Sequence, residues 1–305
     1  MTLMHSSTKK SYIVLLFLFI SHTSILAQET QYYSNENSER HLIGPFRIEH
    51  LEEDKNFKSW FDEGYDQFNV KVPNPKWAKN LKSVEVEIFM GTWCGDSKNW
   101  VPKFLKLWDT LGLKRDQLKL IALYDMIEGS SKYKQGPNGE EKGKNIHRVP
   151  TFIFTEKGTE IARIVESPSN DLYTDLAQIA LSVPSKPNYK GATYLLDLFN
   201  SKSVEEIKAN ERKHLLDVYS LIKGNPSELN TLGYVLLESG RIEEALLTFY
   251  FNSLYFRYNP NVYDSYGEAL VKSGQTAGAI EMYEKVLLLD RSHKNAAEQL
   301  KLLKE

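Results

Sequence analysis

Residues 226–259 and 260–293 repeat one another at an offset of 34. The two copies match at Pro226/Pro260, Gly233/Gly267, Leu236/Leu270, Ser239/Ser273, Gly240/Gly274, Ala245/Ala279, Leu254/Leu288 and Arg257/Arg291, and Phe249/Tyr283 keeps an aromatic. A unit of this length without a strand pattern is a pair of helices, and such pairs bury their apolar faces only by stacking on a neighbour. The small residues Gly233, Ala245, Gly267 and Ala279 mark where two helices approach closely, and Gly240 and Gly274 mark the turns between them. A capping helix is expected over 293–303. The C-terminal third is therefore all-α.

The spacing resembles the tetratricopeptide repeat, which implies a protein partner at these helices. Two copies over 226–305 are fewer than the three such stacks usually need. A helix over 203–222, opened by the capping box Ser203-Val-Glu-Glu206, is placed to complete the stack. The aromatics Phe249, Tyr250, Phe251, Tyr255, Phe256 and Tyr258 read as packing between helices. Pro184, Pro187 and Gly191 mark a linker, so 183–225 is read as linker and connecting helices with few packing contacts across it.

The other end of the chain reads as an export signal over 1–27. Lys9 and Lys10 precede nine apolar or aromatic residues, Tyr12 to Ile20, and Ala27 follows at a cleavage point. The apolar run is too short to span a bilayer, which takes about 20 residues. Cleavage leaves 36 Lys+Arg against 40 Asp+Glu, a net charge of −4, on a periplasmic or secreted protein without a stable membrane anchor. That charge gives no bulk attraction for nucleic acid. Residues 28–44 are polar and read as a loose leader.

Residues 45–182 alternate helix and strand patterns, an α/β arrangement. Helical spacing runs through 54–68, 98–111 and 171–181. Strand patterns cover 84–90 and 118–124, and 151–155 with 161–165 flank a hairpin turn at Glu156-Lys-Gly-Thr159. A Gly- and Lys-rich loop, 128–145, separates the second strand from the hairpin.

Cys94 is the chain's one cysteine. This excludes an intramolecular disulfide and any zinc site built on two thiolates, and no metal or cofactor is expected. Cys94 follows a buried strand and opens an amphipathic helix, where free N–H groups and the helix dipole favour a thiolate. Ser97 falls one turn later, where its hydroxyl could donate to the same sulfur. Glu85 and Glu87 read as the polar face of the first strand, and His147 as a solvated loop residue.

Strand, Trp93-Cys94-Gly95-Asp96-Ser97, helix, then Arg148-Val149-Pro150-Thr151 before a hairpin resembles the thioredoxin superfamily over roughly 45–182. The resemblance implies a mixed sheet flanked by helices, with Cys94 as nucleophile and Ser97 beside it. It also implies a cis Pro150 facing the sulfur, Val149 offering backbone hydrogen bonds to a substrate chain, and Trp93 and Gly95 at the rim. Two departures stand out. Ser97 replaces the second, resolving cysteine, and Ile88 occupies the place of the acid that thioredoxins bury six positions before the cysteine. Cys94 could then attack a disulfide but not release the product unaided. Two functions follow as expectations. One is a monothiol protein exchanging disulfides with protein or small-molecule partners; the other is a redox-silent scaffold acting through its repeats.

Overall fold

The computed structural model describes residues 30–69, 75–126, 132–222 and 224–305. The export signal lies outside them. A mixed six-stranded sheet is followed by a run of helices, as the sequence patterns predict. The sheet is built from β1 (Gln31–Ser34), β2 (Arg40–Phe46), β3 (Val84–Met90), β4 (Leu118–Ala122), β5 (Thr151–Glu156) and β6 (Thr159–Val165), in the order β1-β2-β4-β3-β5-β6. Among the described residues only β3 and β4 pair in parallel; the other neighbours are antiparallel.

The polar leader is a correction. Residues 31–34 and 40–46 form a hairpin whose second strand pairs with β4, Gly44 opposite Ala122 and Phe46 opposite Leu120. His41-Leu-Ile-Gly-Pro-Phe46 is largely buried, so short apolar content inside a polar stretch was enough to complete the sheet. The turn between β5 and β6 holds Lys157 and Gly158 at φ 52° and 78°, the left-handed pair that a two-residue hairpin requires.

Alternate strand residues divide between two cores. Ile88, Met90, Leu120, Ala122, Phe152 and Phe154 face one side, packed against α2 (Lys58–Asp66), α3 (Gly95–Thr110) and α4 (Leu172–Ala180), with α1 (Glu49–Glu53) alongside. Ile88 is thus a core residue. Phe89, Ile121, Leu123 and Ile153 face the other side, where Ile146, Val149, Trp93 and Cys94 cover them. Pro102 interrupts the hydrogen-bond ladder of α3, and α2 crosses it at Gly64, where a Cβ would meet the proline ring at 3.0 Å.

The helical half runs through α5 (Lys190–Ser201), α6 (Val204–Ala209), α7 (Glu211–Leu221), α8 (Ser227–Glu238), α9 (Ile242–Tyr255), α10 (Pro260–Lys272), α11 (Thr276–Leu289) and α12 (Lys294–Lys304). The single helix expected over 203–222 is two, parted at Asn210. The repeat has an exact physical counterpart. A Cβ on Gly233 would lie 2.6 Å from the Phe249 ring, and one on Gly267 2.9 Å from the Tyr283 ring. Each glycine lets its helix seat the aromatic of the next. Gly240 and Gly274, at φ 79° and 77°, end the first helix of each pair.

The two halves are not joined by a free linker, contrary to the sequence expectation. Asn188 donates to the Ser167 carbonyl at 3.0 Å and Ser169 to that of Lys186 at 2.9 Å. Residues 132–150 lie between the sheet and the helices. Arg148 donates to the Ser227 carbonyl at 2.8 Å and Gln135 to that of Glu238 at 2.7 Å, one at each end of α8.

Candidate functional site

Cys94 is the N-cap of α3. Its N–H donates to the Gly91 carbonyl and its own carbonyl accepts the Lys98 N–H, both at 3.0 Å. Its thiol donates to the Val149 carbonyl at 3.3 Å, and the Val149–Pro150 peptide is cis. Residues 55 positions apart in the chain therefore meet at the sulfur.

Trp93 lies beside it, half-buried, with its indole N–H donated to the Leu123 carbonyl at 2.9 Å. The ring occupies the space that a Cβ on Gly91 would need, 2.4 Å away. Gly95 is exposed, and an added Cβ there would meet nothing within 4 Å. Pro150 and Val149 are buried.

Ser97 does not do what its spacing suggested. It is fully buried, and its hydroxyl accepts the Gly91 N–H at 3.2 Å. No hydrogen bond joins it to Cys94 among the described residues. The turn at Gly91-Thr-Trp-Cys94 curls its first N–H toward the helix, and the serine satisfies it.

His147 is also a correction. It is buried, with its ring edge-on to Tyr189 at 6.0 Å. Nδ1 lies 3.4 Å from the Asn145 carbonyl and Nε2 has no hydrogen-bond partner. Burial pushes its pKa down to about 3, so the ring is neutral. Glu87 is more than a solvated strand residue, since it pairs with Lys144 of the covering loop.

Five residues take parts at the site that the sequence reading did not assign them. Lys134 is 4% exposed, and its ammonium donates to the His147 carbonyl at 3.0 Å. Burial first, then the neighbouring Arg148, brings its pKa down to about 7. Tyr133 faces Trp93, ring centres 6.3 Å apart. Arg148 pairs with Glu166 at 3.1 Å, and the Glu166 N–H donates to the Pro150 carbonyl at 2.7 Å. This pair brackets the cis peptide. Finally, Thr92 holds the sulfur loop to β2: its hydroxyl accepts the Leu42 N–H at 3.2 Å and lies 3.3 Å from His41 Nδ1.

No protein-family model matches this chain, and no curated protein matches its sequence. No group of three or more His, Cys, Asp or Glu is placed to hold a metal ion among the described residues. No helix among them is long and apolar enough to cross a membrane. The site brings together a single sulfur at a helix start, the backbone carbonyl that faces it, and the largely buried side chains of Lys134 and Arg148.

Proposed function

We propose that this is an exported protein of the thioredoxin superfamily, a monothiol C-x-x-S variant carrying tetratricopeptide-like repeats. In this reading Cys94 forms mixed disulfides with protein or small-molecule partners. One observation carries it: the Cys94 thiol, at the start of α3, donates to the carbonyl of Val149 in the cis Val149–Pro150 unit. The parallel β3–β4 pair with antiparallel β5 and β6 beside it supports the same fold family.

The step begins with attack of the Cys94 thiolate on one sulfur of a substrate disulfide. A new S–S bond forms, the old one breaks, and its electron pair leaves on the second substrate sulfur, which takes up a proton. Ser97 supplies no second thiol, so an external thiol must release the adduct. Trp93, Gly95, Val149 and Pro150 form the substrate-facing rim, and the helical repeats offer a surface to a protein partner.

Mass spectrometry of the full chain incubated with oxidised glutathione tests this. A glutathione adduct on Cys94, released by added dithiothreitol, is the expected result. Repeated turnover without external thiol would refute the monothiol cycle. A Cys94 that forms no adduct would refute the mixed-disulfide reading and leave the redox-silent scaffold acting through its repeats.

A further inference from the structure

We propose that the cavity between residues 132–150 and the helices α5 and α8 binds a small amphipathic carboxylate, its apolar body against the aliphatic side chains of the helices and its head among the cations of the wall. This goes beyond the thiol chemistry above and does not depend on it.

The cavity has a volume of about 290 Å³. Its aliphatic side is made by Ile146, by Leu196 of α5, and by Leu232, Val235 and Leu236 of α8. All but Val235 are buried, yet the two halves leave an unfilled space between them. An apolar space of about 150 Å³ holds one benzene, so this one admits a molecule of roughly twice that size. That fits a small molecule and is too little for a folded segment.

Charge on the wall selects the sign of the ligand. Lys134, Lys142 and Arg241 line the cavity, against one carboxylate, Glu141. Glu141 accepts the Gly136 N–H at 2.8 Å, and Arg241 pairs with Glu244, which lies outside the lining. Lys134 and Lys142 have no ion-pair partner among the described residues. Lys134 is only 4% exposed; its ammonium donates to the His147 carbonyl at 3.0 Å and lies over the Tyr133 ring at 4.5 Å. A buried ammonium without a counter-ion is strongly unfavourable, and a carboxylate in the cavity supplies one. His147 lines the same cavity, and its buried Nε2 has no hydrogen-bond partner. An apolar space with a few convergent polar groups of one sign is the usual form of a small-molecule site.

There is also a way in. Gly143, Asn145, His147 and Leu196 line a second, larger groove of about 550 Å³, which continues past β6 to Pro184 and Pro187. Since both halves build the cavity, a ligand inside it would tie the sheet half to the helical half and stabilise the two together.

The test is titration of octanoate into the full chain, read by methyl NMR and thermal melting, with octylamine and octanol as probes of the same length. Octanoate should saturate one site, shift the methyl signals of Leu196, Leu232, Val235 and Leu236, and raise the melting temperature by several degrees. Octylamine and octanol should bind at least about tenfold more weakly. Lys134→Met and Lys142→Glu should each weaken octanoate about fivefold, and Val235→Phe, which fills the space, should abolish binding.

No saturable shift at those methyls in the millimolar range would overturn the site. Shifts confined to the exposed Leu216 and Leu288 would do the same, because they report adsorption to the outer surface. Equal binding of octylamine or octanol, or octanoate binding unchanged in both lysine variants, would overturn the choice of a carboxylate. Should Val235→Phe fail to fold, Lys142→Glu, at an exposed position, and the octylamine comparison decide the matter.

Discussion

The Ser97 hydroxyl accepts the Gly91 N–H at 3.2 Å, closing the loop that carries the only thiol in the chain. Its role in this geometry is to satisfy a buried backbone donor, and the Cys94 thiol turns the other way, to Val149. Ser97→Ala should strand the Gly91 N–H at a cost of about 1–3 kcal/mol, measured as a lower denaturant midpoint. Cys94 alkylation should change less than twofold. A large loss of alkylation rate at unchanged stability would assign the hydroxyl to the sulfur after all.

Thr92 makes the N-terminal hairpin part of the same loop. Its hydroxyl is the acceptor for the Leu42 N–H, with His41 Nδ1 beside it, and all three residues are buried. Thr92→Val keeps the shape and removes the acceptor, so it should cost about 1–3 kcal/mol and speed amide exchange at Leu42. Thr92→Ser should restore most of the loss. Equal exchange at Leu42 in all three proteins would detach the hairpin from the site.

Much of this arrangement was legible because it depends on local pattern. Alternation marked β3, the Glu156–Thr159 turn marked the β5–β6 hairpin, and the 34-residue offset marked Gly233 and Gly267 as close approaches and Phe249 and Tyr283 as equivalent aromatics, although which ring each glycine meets came only with the structure. Cys94 and Pro150 were placed by their neighbours in sequence. What escaped depends on tertiary burial. Lys134 is one of several lysines in its loop, and nothing local separates it from Lys132 or Lys142. His41 lies in a polar stretch whose few apolar residues were too short a run to read as a strand. Ser97 has the spacing to meet Cys94, but a nearer buried N–H competes for its hydroxyl and wins.

His147 should make the protein acid-labile. Burial holds its folded pKa at about 3, against an ordinary value of 6.5. Between those two values the unfolded chain binds a proton that the folded chain does not. Stability therefore falls as pH drops from about 6.5 toward 3 and is insensitive to this residue above 7. His147→Phe removes the group, so the gap between variant and wild-type stability should shift in the variant's favour by roughly 3–5 kcal/mol from pH 7 to pH 3.5. Urea melts at several pH values would show it. Parallel curves for the two proteins would mean that His147 is hydrated and titrates normally.

Arg148 joins the thiol site to the helical half, and its loss should be felt in both. Its guanidinium pairs with Glu166, donates to the Ser227 carbonyl at the start of α8, and lies over the Tyr189 ring at 4.5 Å. Both members of the ion pair are more than four-fifths buried. Arg148→Met would leave the Glu166 carboxylate without its partner, at about 2–3 kcal/mol, somewhat below the cost for a fully buried pair. The same change removes a tie across 183–191. Calorimetry of the full chain should then show one cooperative transition for wild type and two for Arg148→Met, the sheet half melting first because it also loses the bracket on Val149–Pro150. A fragment ending at residue 190 exposes the face of 132–150 that Leu196 and Leu232 line across a cavity of about 290 Å³, so it should melt several degrees below the intact protein. Two transitions in wild type, neither moved by Arg148→Met, would show that the halves are thermodynamically independent despite their contacts.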